Sequence, residues 1–370
     1  MKLFRVGRTA TALGVVAVSI ALAACQGDGG DPTPQLTQVT DVAELGLPGV
    51  ISVDHAFRLP AGVRVAHYGA HTDGARIVFG VDPPEGRPAA ATGRYGIVTL
   101  SDARLTFRDA SQAGALTDYL AIVAAADGSH LIRVEAVELP PAQCPDIPVT
   151  CYRWSITDEL MTDGKPRVIT TGDRPTAANE VPQPVANGSG VVWLTTDHGI
   201  AQVWAYQPGG EPRRIGTQMR PGILSATADQ AWVGTPVDDA AIYRLPLSGA
   251  AAATRVALPP TAGLATVAGS RVAFRVDESP QSRALCVADL PDPRTCRKVF
   301  TAPDIYALYW LGPDALLVSA PDGYSLVRLD GTISRLPLDY LYLVHSDGGR
   351  LAFVEQLGDI QVLVVGHLES

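Results

Sequence analysis

Few places in this 370-residue chain could carry chemistry. Four of the five cysteines form two close pairs, Cys144 with Cys151 and Cys286 with Cys296. Paired thiols either bind a metal as thiolates or close a disulfide. Neither interval matches a zinc-finger spacing, and no histidine sits beside either pair in the sequence. Disulfides that staple hairpins are therefore expected for both. His67 and His71 are four apart, so on an extended strand they share a face and could co-ligate a metal with Asp73. Asp73 and Gly74, however, read as a tight turn, which makes a solvated or packing role the expectation for these histidines. The carboxylates Asp82, Asp197, Asp239, Asp277 and Asp322 are hard oxygen donors of the type that holds Ca2+, provided the fold brings them together. No Gly-x-Ser-x-Gly elbow and no Gly-x4-Gly-Lys-Ser/Thr loop occurs. No catalytic residue is assigned, and no cofactor beyond such a Ca2+ is expected.

The elements that position these residues begin after a leader. Lys2, Arg5 and Arg8 precede an apolar run from Thr9 to Leu22, the layout of a secretory signal peptide. Residues 9–24 fall short of the roughly 20 needed to cross a bilayer core. The closing residues Leu22, Ala23, Ala24 and Cys25 resemble the lipobox of bacterial lipoproteins. That resemblance implies that 1–24 is removed and that Cys25 becomes the first mature residue and carries acyl chains such as palmitate. The chain would then be extracytoplasmic and lipid-anchored to the cell membrane. Gln26 at the next position is compatible with the outer membrane where the envelope has two. Gln26 to Gln35 is Gly-, Asp- and Pro-rich and reads as a tether; residues 25–48 as a whole are expected to be the lipidated cysteine and a flexible linker. No second apolar run reaches spanning length, so lipid is the expected membrane attachment.

The whole chain has a formal charge of −9; loss of Lys2, Arg5 and Arg8 with the leader takes it to −12. No basic patch stands out, which argues against nucleic acid as a partner. Hydrophobic residues make up 46% of the chain and are cut by 36 Gly and 29 Pro, as in a large core interrupted by many turns.

From residue 49 the chain repeats. A turn of Asp, Asn or Gly type is followed by a β-branched or aliphatic run at 71–79 (HTDGARIVF), 126–134 (ADGSHLIRV), 186–194 (ANGSGVVWL), 228–233 (ADQAWV), 268–274 (AGSRVAF), 313–318 (PDALLV) and 346–354 (SDGGRLAFV). Another short apolar segment lies before most copies, and one or two lie after. Four short strands in about 40 residues match a propeller blade. The seventh unit runs out of chain, and segment 50–59 is expected to supply its missing outer strand. The fold class is thus all-β: a seven-bladed β-propeller over residues 49–370, closed by an N-terminal strand. The copy at 346–353, leading to Gly358, Asp359, Ile360, Gln361 and Val362, resembles the repeat of TolB-type propellers. The resemblance implies the propeller fold, a scaffold that hosts receptors and enzyme domains alike. The five tryptophans fall mostly in strands and are expected between blades.

In such a ring, turns joining first to second and third to fourth strands share one face; second-to-third turns share the other with the links between blades. Asp-Gly pairs at 73–74, 127–128, 163–164, 330–331 and 347–348 make the first face tight. Long loops at 82–93, 139–150 and 276–283, and the long link 172–184, elaborate the opposite face. That face also gathers the five candidate carboxylates with Glu85, Asp146, Asp238, Glu278 and Asp359. Long loops on a rigid frame are where binding concentrates. The expected function is a lipid-anchored binding or scaffold module whose long-loop face meets a protein or cell-wall ligand. The alternative is a hydrolase, lactonase or lyase with a Ca2+-assisted acidic site at the channel mouth. The chain is expected to be a monomer.

Overall fold

Each repeat forms a small antiparallel sheet in the computed structural model, and seven such sheets stand in a ring. The structure describes residues 34–369 apart from 48, 50, 83–92, 113, 126–127, 146, 148, 163, 178–179, 198, 220–221, 235–239, 250–251, 337–344 and 348–349. The leader, Cys25 and the first part of the linker lie outside the described residues. Blade 1 consists of Val65–Thr72, Arg76–Val81, Arg94–Thr99 and Arg104–Asp109. Blade 2 consists of Ala115–Ala125, Gly128–Glu138, Cys151–Leu160 and Pro166–Thr171, with Thr176–Ala177 added along its third strand. Blade 3 holds Val185–Ala186, Val191–Asp197, Ile200–Tyr206 and Arg213–Met219, and blade 4 holds Ile223–Ala226, Gln230–Gly234, Ala241–Pro246 and Thr254–Ala257. Blade 5 holds Ala262–Ala268, Arg271–Ser279, Ser282–Asp289 and Arg297–Ala302; blade 6 holds Ala307–Trp310, Ala315–Ala320, Gly323–Arg328 and Ile333–Leu336.

Blade 7 takes three strands from the end of the chain, His345–Asp347, Arg350–Leu357 and Ile360–Leu368, and its fourth from the start. Ile51–Arg58 pairs antiparallel with the last strand, from Ile51 opposite Leu368 to Arg58 opposite Val362. The expected closure is therefore realised, and it ties the ring with backbone hydrogen bonds between sequence-distant ends. Arg350 of blade 7 also reaches over the first turn of blade 1, where Gly74 sits at φ +84°, a conformation that favours glycine.

The linker departs from expectation in its second half. Thr37–Gln38 adds a fifth strand outside Ile51–Arg58, and Gln35 bridges to Arg104 of blade 1. Leu36, Val39 and Leu45 are buried, and a short 3-10 turn over Val42–Leu45 is capped by the Asp41 side chain. Those three aliphatic residues gain by burial, roughly 1.5–3 kcal/mol each when fully covered. That favours docking over a free leash, so residues 34–47 belong to the fold.

Side chains alternate along each strand, so every blade offers an apolar face to each neighbour. The joint between blades 5 and 6 has a core of this kind, with Ala273, Leu285, Val287, Leu308, Leu316 and Val318 in one cluster. Trp154, Trp193 and Trp232 are buried between blades, as their strand positions predicted. Among the described residues no helix is long and apolar enough to cross a membrane.

Candidate functional site

The face expected to work carries a carboxylate–arginine network. Asp277 of blade 5 lies 3.2 Å from Arg275 Nε and 2.9 Å from Arg283 Nε, and Asp304 on the link to blade 6 approaches the same two guanidiniums. Glu278 pairs with Lys298 at 2.8 Å, and exposed Asp322 faces Arg335 at 3.5 Å. Carboxylates already facing guanidinium or ammonium groups are poor Ca2+ ligands, because the metal would have to displace a cation. Asp359 lies exposed on a two-residue turn, and Asp82 follows the second strand of blade 1. Glu85, Asp146, Asp238 and Asp239 lie outside the described residues, as does the side chain of Asp197. Among the described residues no three His, Cys, Asp or Glu come together as metal ligands.

The segment 276–283 is not a long loop. Arg271–Ser279 and Ser282–Asp289 stay paired to Ser279 opposite Ser282, a tight hairpin. The run of polar residues there reads as a loop, yet it is the exposed end of two strands. The loop 139–150 does stand out from blade 2. It contains a 3-10 turn at Pro141–Gln143, and a disulfide between Cys144 and Cys151 clamps its base, with Cα atoms 6.4 Å apart. The second expected pair, Cys286 and Cys296, stands as two free thiols in contact. A bulge places Cys286 opposite Lys298, with Cys296 two residues past that partner on the same face, where the two thiols meet. Burial first, and then the hydrogen bond with Cys296, push the Cys286 thiol up to about 12, so it is un-ionised at neutral pH. Asp73 serves the fold, since its carboxylate accepts the backbone N–H groups of Ala75 and Arg76 in the turn. The side chain of His67 lies outside the described residues.

Blade 2 holds charge where the other blades hold aliphatic residues. Arg133, Glu135 and Glu159 are almost completely inaccessible. Arg133 donates to Glu135 at 2.8 Å and to Glu159, and lies 4.8 Å above the Tyr95 ring of blade 1. Tyr95 donates its hydroxyl to Glu159 at 2.5 Å, Arg108 adds a second guanidinium on Glu159, and Ser111 and Gln112 donate to Glu135. Two guanidiniums thus meet two carboxylates. Burial raises the Tyr95 phenol well above its ordinary value; Arg133 opposes the shift and Glu159 adds to it. On the opposite side of the blade Asp158 receives His130 Nδ1 at 2.6 Å and the hydroxyl of Tyr206 from blade 3. Burial and that bond both raise the Tyr206 phenol. These groups are sealed between blades and act as joints.

A cleft of about 610 Å³ opens between blades 4 and 5, on the tight-turn face and outside the sequence expectation. Three side chains form a row across blade 4: Trp232 stands opposite Arg244, and Arg244 opposite Thr254. Lower in the same face Trp232, Ile242 and Val256 pack on Phe274 and Cys286 of blade 5. Near the rim the blades part, because the third-to-fourth connection of blade 5 is not a tight turn. Leu290, Pro291, Asp292, Pro293 and Arg294 of that connection form the far wall, with Gly269 and Ser270 beside them. The signal in the sequence was the pair Pro291 and Pro293 between two strands, which rules out a two-residue hairpin there.

No family model matches the chain, and no curated protein matches it. Solved structures do. An oligogalacturonate lyase from Vibrio parahaemolyticus superposes with a TM-score of 0.53 at 12% identity, over 90% of this chain and 98% of that one. A chain of a mitotic checkpoint complex gives 0.52 at 10% identity, over 96% of this chain and 100% of that one. A prolyl endopeptidase gives 0.49 at 12% identity; the match covers 83% of this chain but about half (47%) of the endopeptidase. At such identities the likeness establishes the propeller and nothing about activity.

Proposed function

We propose that the chain is a lipid-anchored extracytoplasmic binding module: acyl chains on Cys25 hold the propeller at the bacterial membrane, and its long-loop face meets a protein or cell-wall ligand. The engagement of Asp277, Glu278 and Asp322 with Arg275, Arg283, Lys298 and Arg335 carries the choice of binding over Ca2+-assisted catalysis. A face of alternating fixed charges suits recognition of a polar partner. Docking of residues 34–47 supports the anchored arrangement. Only Gln26 to Thr33 separates Cys25 from the fold, and nine peptide units reach at most roughly 30 Å. A module on so short a leash works close to the membrane surface. Cys25→Ser should release the protein into the soluble fraction of its own cells with an unchanged melting temperature. A variant that stays with membranes after a carbonate wash would contradict the anchor. Cross-linking of the lipidated protein in intact envelopes should then capture a partner through 139–150 or 172–184. Capture that survives deletion of those segments would contradict the assignment of the face.

A further inference from the structure

The cleft between blades 4 and 5 has the composition of a ligand site. Its volume lies within the range of small-molecule pockets, and its walls divide into an apolar part and a polar part. Val256, Leu290, Pro291 and Pro293 supply the apolar wall, while Gln230, Thr254 and Ser270 supply amide and hydroxyl groups. Arg244, Arg255 and Arg294 lie along it with one acidic residue, Asp292, and the Arg255 side chain leaves the opposite face of its strand from Thr254. Arg294 is committed to that carboxylate through two bonds of 2.7 and 2.8 Å. Arg244 makes no hydrogen bond or ion pair among the described residues. In a chain of net charge −9, this concentration of positive charge runs against the average surface. A second observation comes from the same row. Trp232 is 4% exposed, and its buried indole Nε1 has no hydrogen-bond partner. A polar atom left in that state is costly, and a ligand oxygen or a water admitted beneath Arg244 would satisfy it.

We infer that this cleft binds a small anionic saccharide, with its carboxylate or phosphate on Arg244 and its hydroxyls on Gln230, Thr254 and Ser270. A guanidinium presents paired donors in one plane, which fits both oxyanions. The polar side chains match a polyhydroxylated body, and the proline wall gives its ring an apolar surface to lie against. The site lies on the opposite face from the long loops, so it is independent of the binding surface proposed above.

Calorimetric titration of the detergent-solubilised full chain at low salt, with glucuronate, glucose 6-phosphate and glucose, tests this. Binding of either anion at least about tenfold tighter than glucose is expected, with a loss of affinity on raising the salt. Binding of glucuronate alone identifies a carboxylate ligand, and of glucose 6-phosphate alone a phosphate ligand. Arg244→Gln should weaken the anion at least about tenfold, and Arg244→Lys less. The melting curve of each variant reports whether it is folded, and Thr254→Val provides a second reading of the same site. Equal binding of glucose and the anions, no binding of any of the three, or full affinity in both Arg244→Gln and Thr254→Val would overturn the assignment.

Discussion

Two of the joints in this ring use arginine in opposite ways. Between blades 1 and 2, Arg133 and Arg108 are met by Glu135 and Glu159, the phenol of Tyr95 donates to Glu159, and Arg133, Glu135 and Glu159 are buried. Between blades 4 and 5, Arg244 stands half-buried on the wall of an open cleft without such a carboxylate. A buried ion pair contributes little net stability against an apolar joint, such as that between blades 5 and 6, but losing one member is expensive. A cation left at the rim contributes little to stability and remains available to an anion. The same residue type therefore fixes the fold at one joint and equips the other for a ligand.

Breaking the first joint should give the largest effect. Arg133→Met leaves Glu135 buried with only neutral donors and should destabilise the fold by about 3–5 kcal/mol, read by denaturant unfolding. A loss below about 1 kcal/mol would show that the joint is not sealed. Tyr95→Phe removes a bond to a carboxylate and should cost about 2 kcal/mol. It should also change the alkaline limb. Because the folded-state pKa is raised, the Tyr95 contribution is complete below the unfolded value of about 10 and falls away above it, as the unfolded chain ionises. The Phe variant should lose stability less steeply there than the parent protein; parallel limbs would contradict the burial of the phenol. At the second joint, Arg244→Gln should shift stability by no more than about 0.5 kcal/mol, since that side chain has no hydrogen-bond or ion-pair partner among the described residues. The smallest effect concerns the thiols beside the cleft. Iodoacetamide on the native protein should modify half-buried Cys296 before Cys286, whose thiol is held un-ionised up to about 12. Both should react after unfolding without reductant, while Cys144 and Cys151 stay protected by their bond. Equal native rates at Cys286 and Cys296 would contradict the packing of Cys286 against Trp232.

The ring itself was legible because its cause is local. Turn residues such as Asp73 and Gly74, followed by a run such as Ile77, Val78 and Phe79, specify a hairpin without reference to anything distant. The closing strand Ile51–Arg58 was legible for a related reason: a seventh unit one strand short leaves an edge that some other segment must cover. Longer-range features were not. Nothing near Leu36, Val39 or Leu45 announces that blade 7 and blade 1 will receive them. The end of a hairpin at 276–283 looks like a loop because its residues are polar for a reason other than irregularity: they pair in a charge network with Asp304. The cleft depends on Trp232, Arg244 and Thr254 falling in one row across three strands, and only the pairing registers place them there.

The contrast between the joints is tested most directly by melting Arg133→Gln and Arg244→Gln in parallel, each with and without glucose 6-phosphate and glucuronate. Arg133→Gln should melt several degrees lower than the parent chain yet keep the anion-induced rise. Arg244→Gln should melt where the parent does and lose that rise. A destabilised Arg244→Gln that still responds to the anions, or an Arg133→Gln as stable as the parent, would contradict the account.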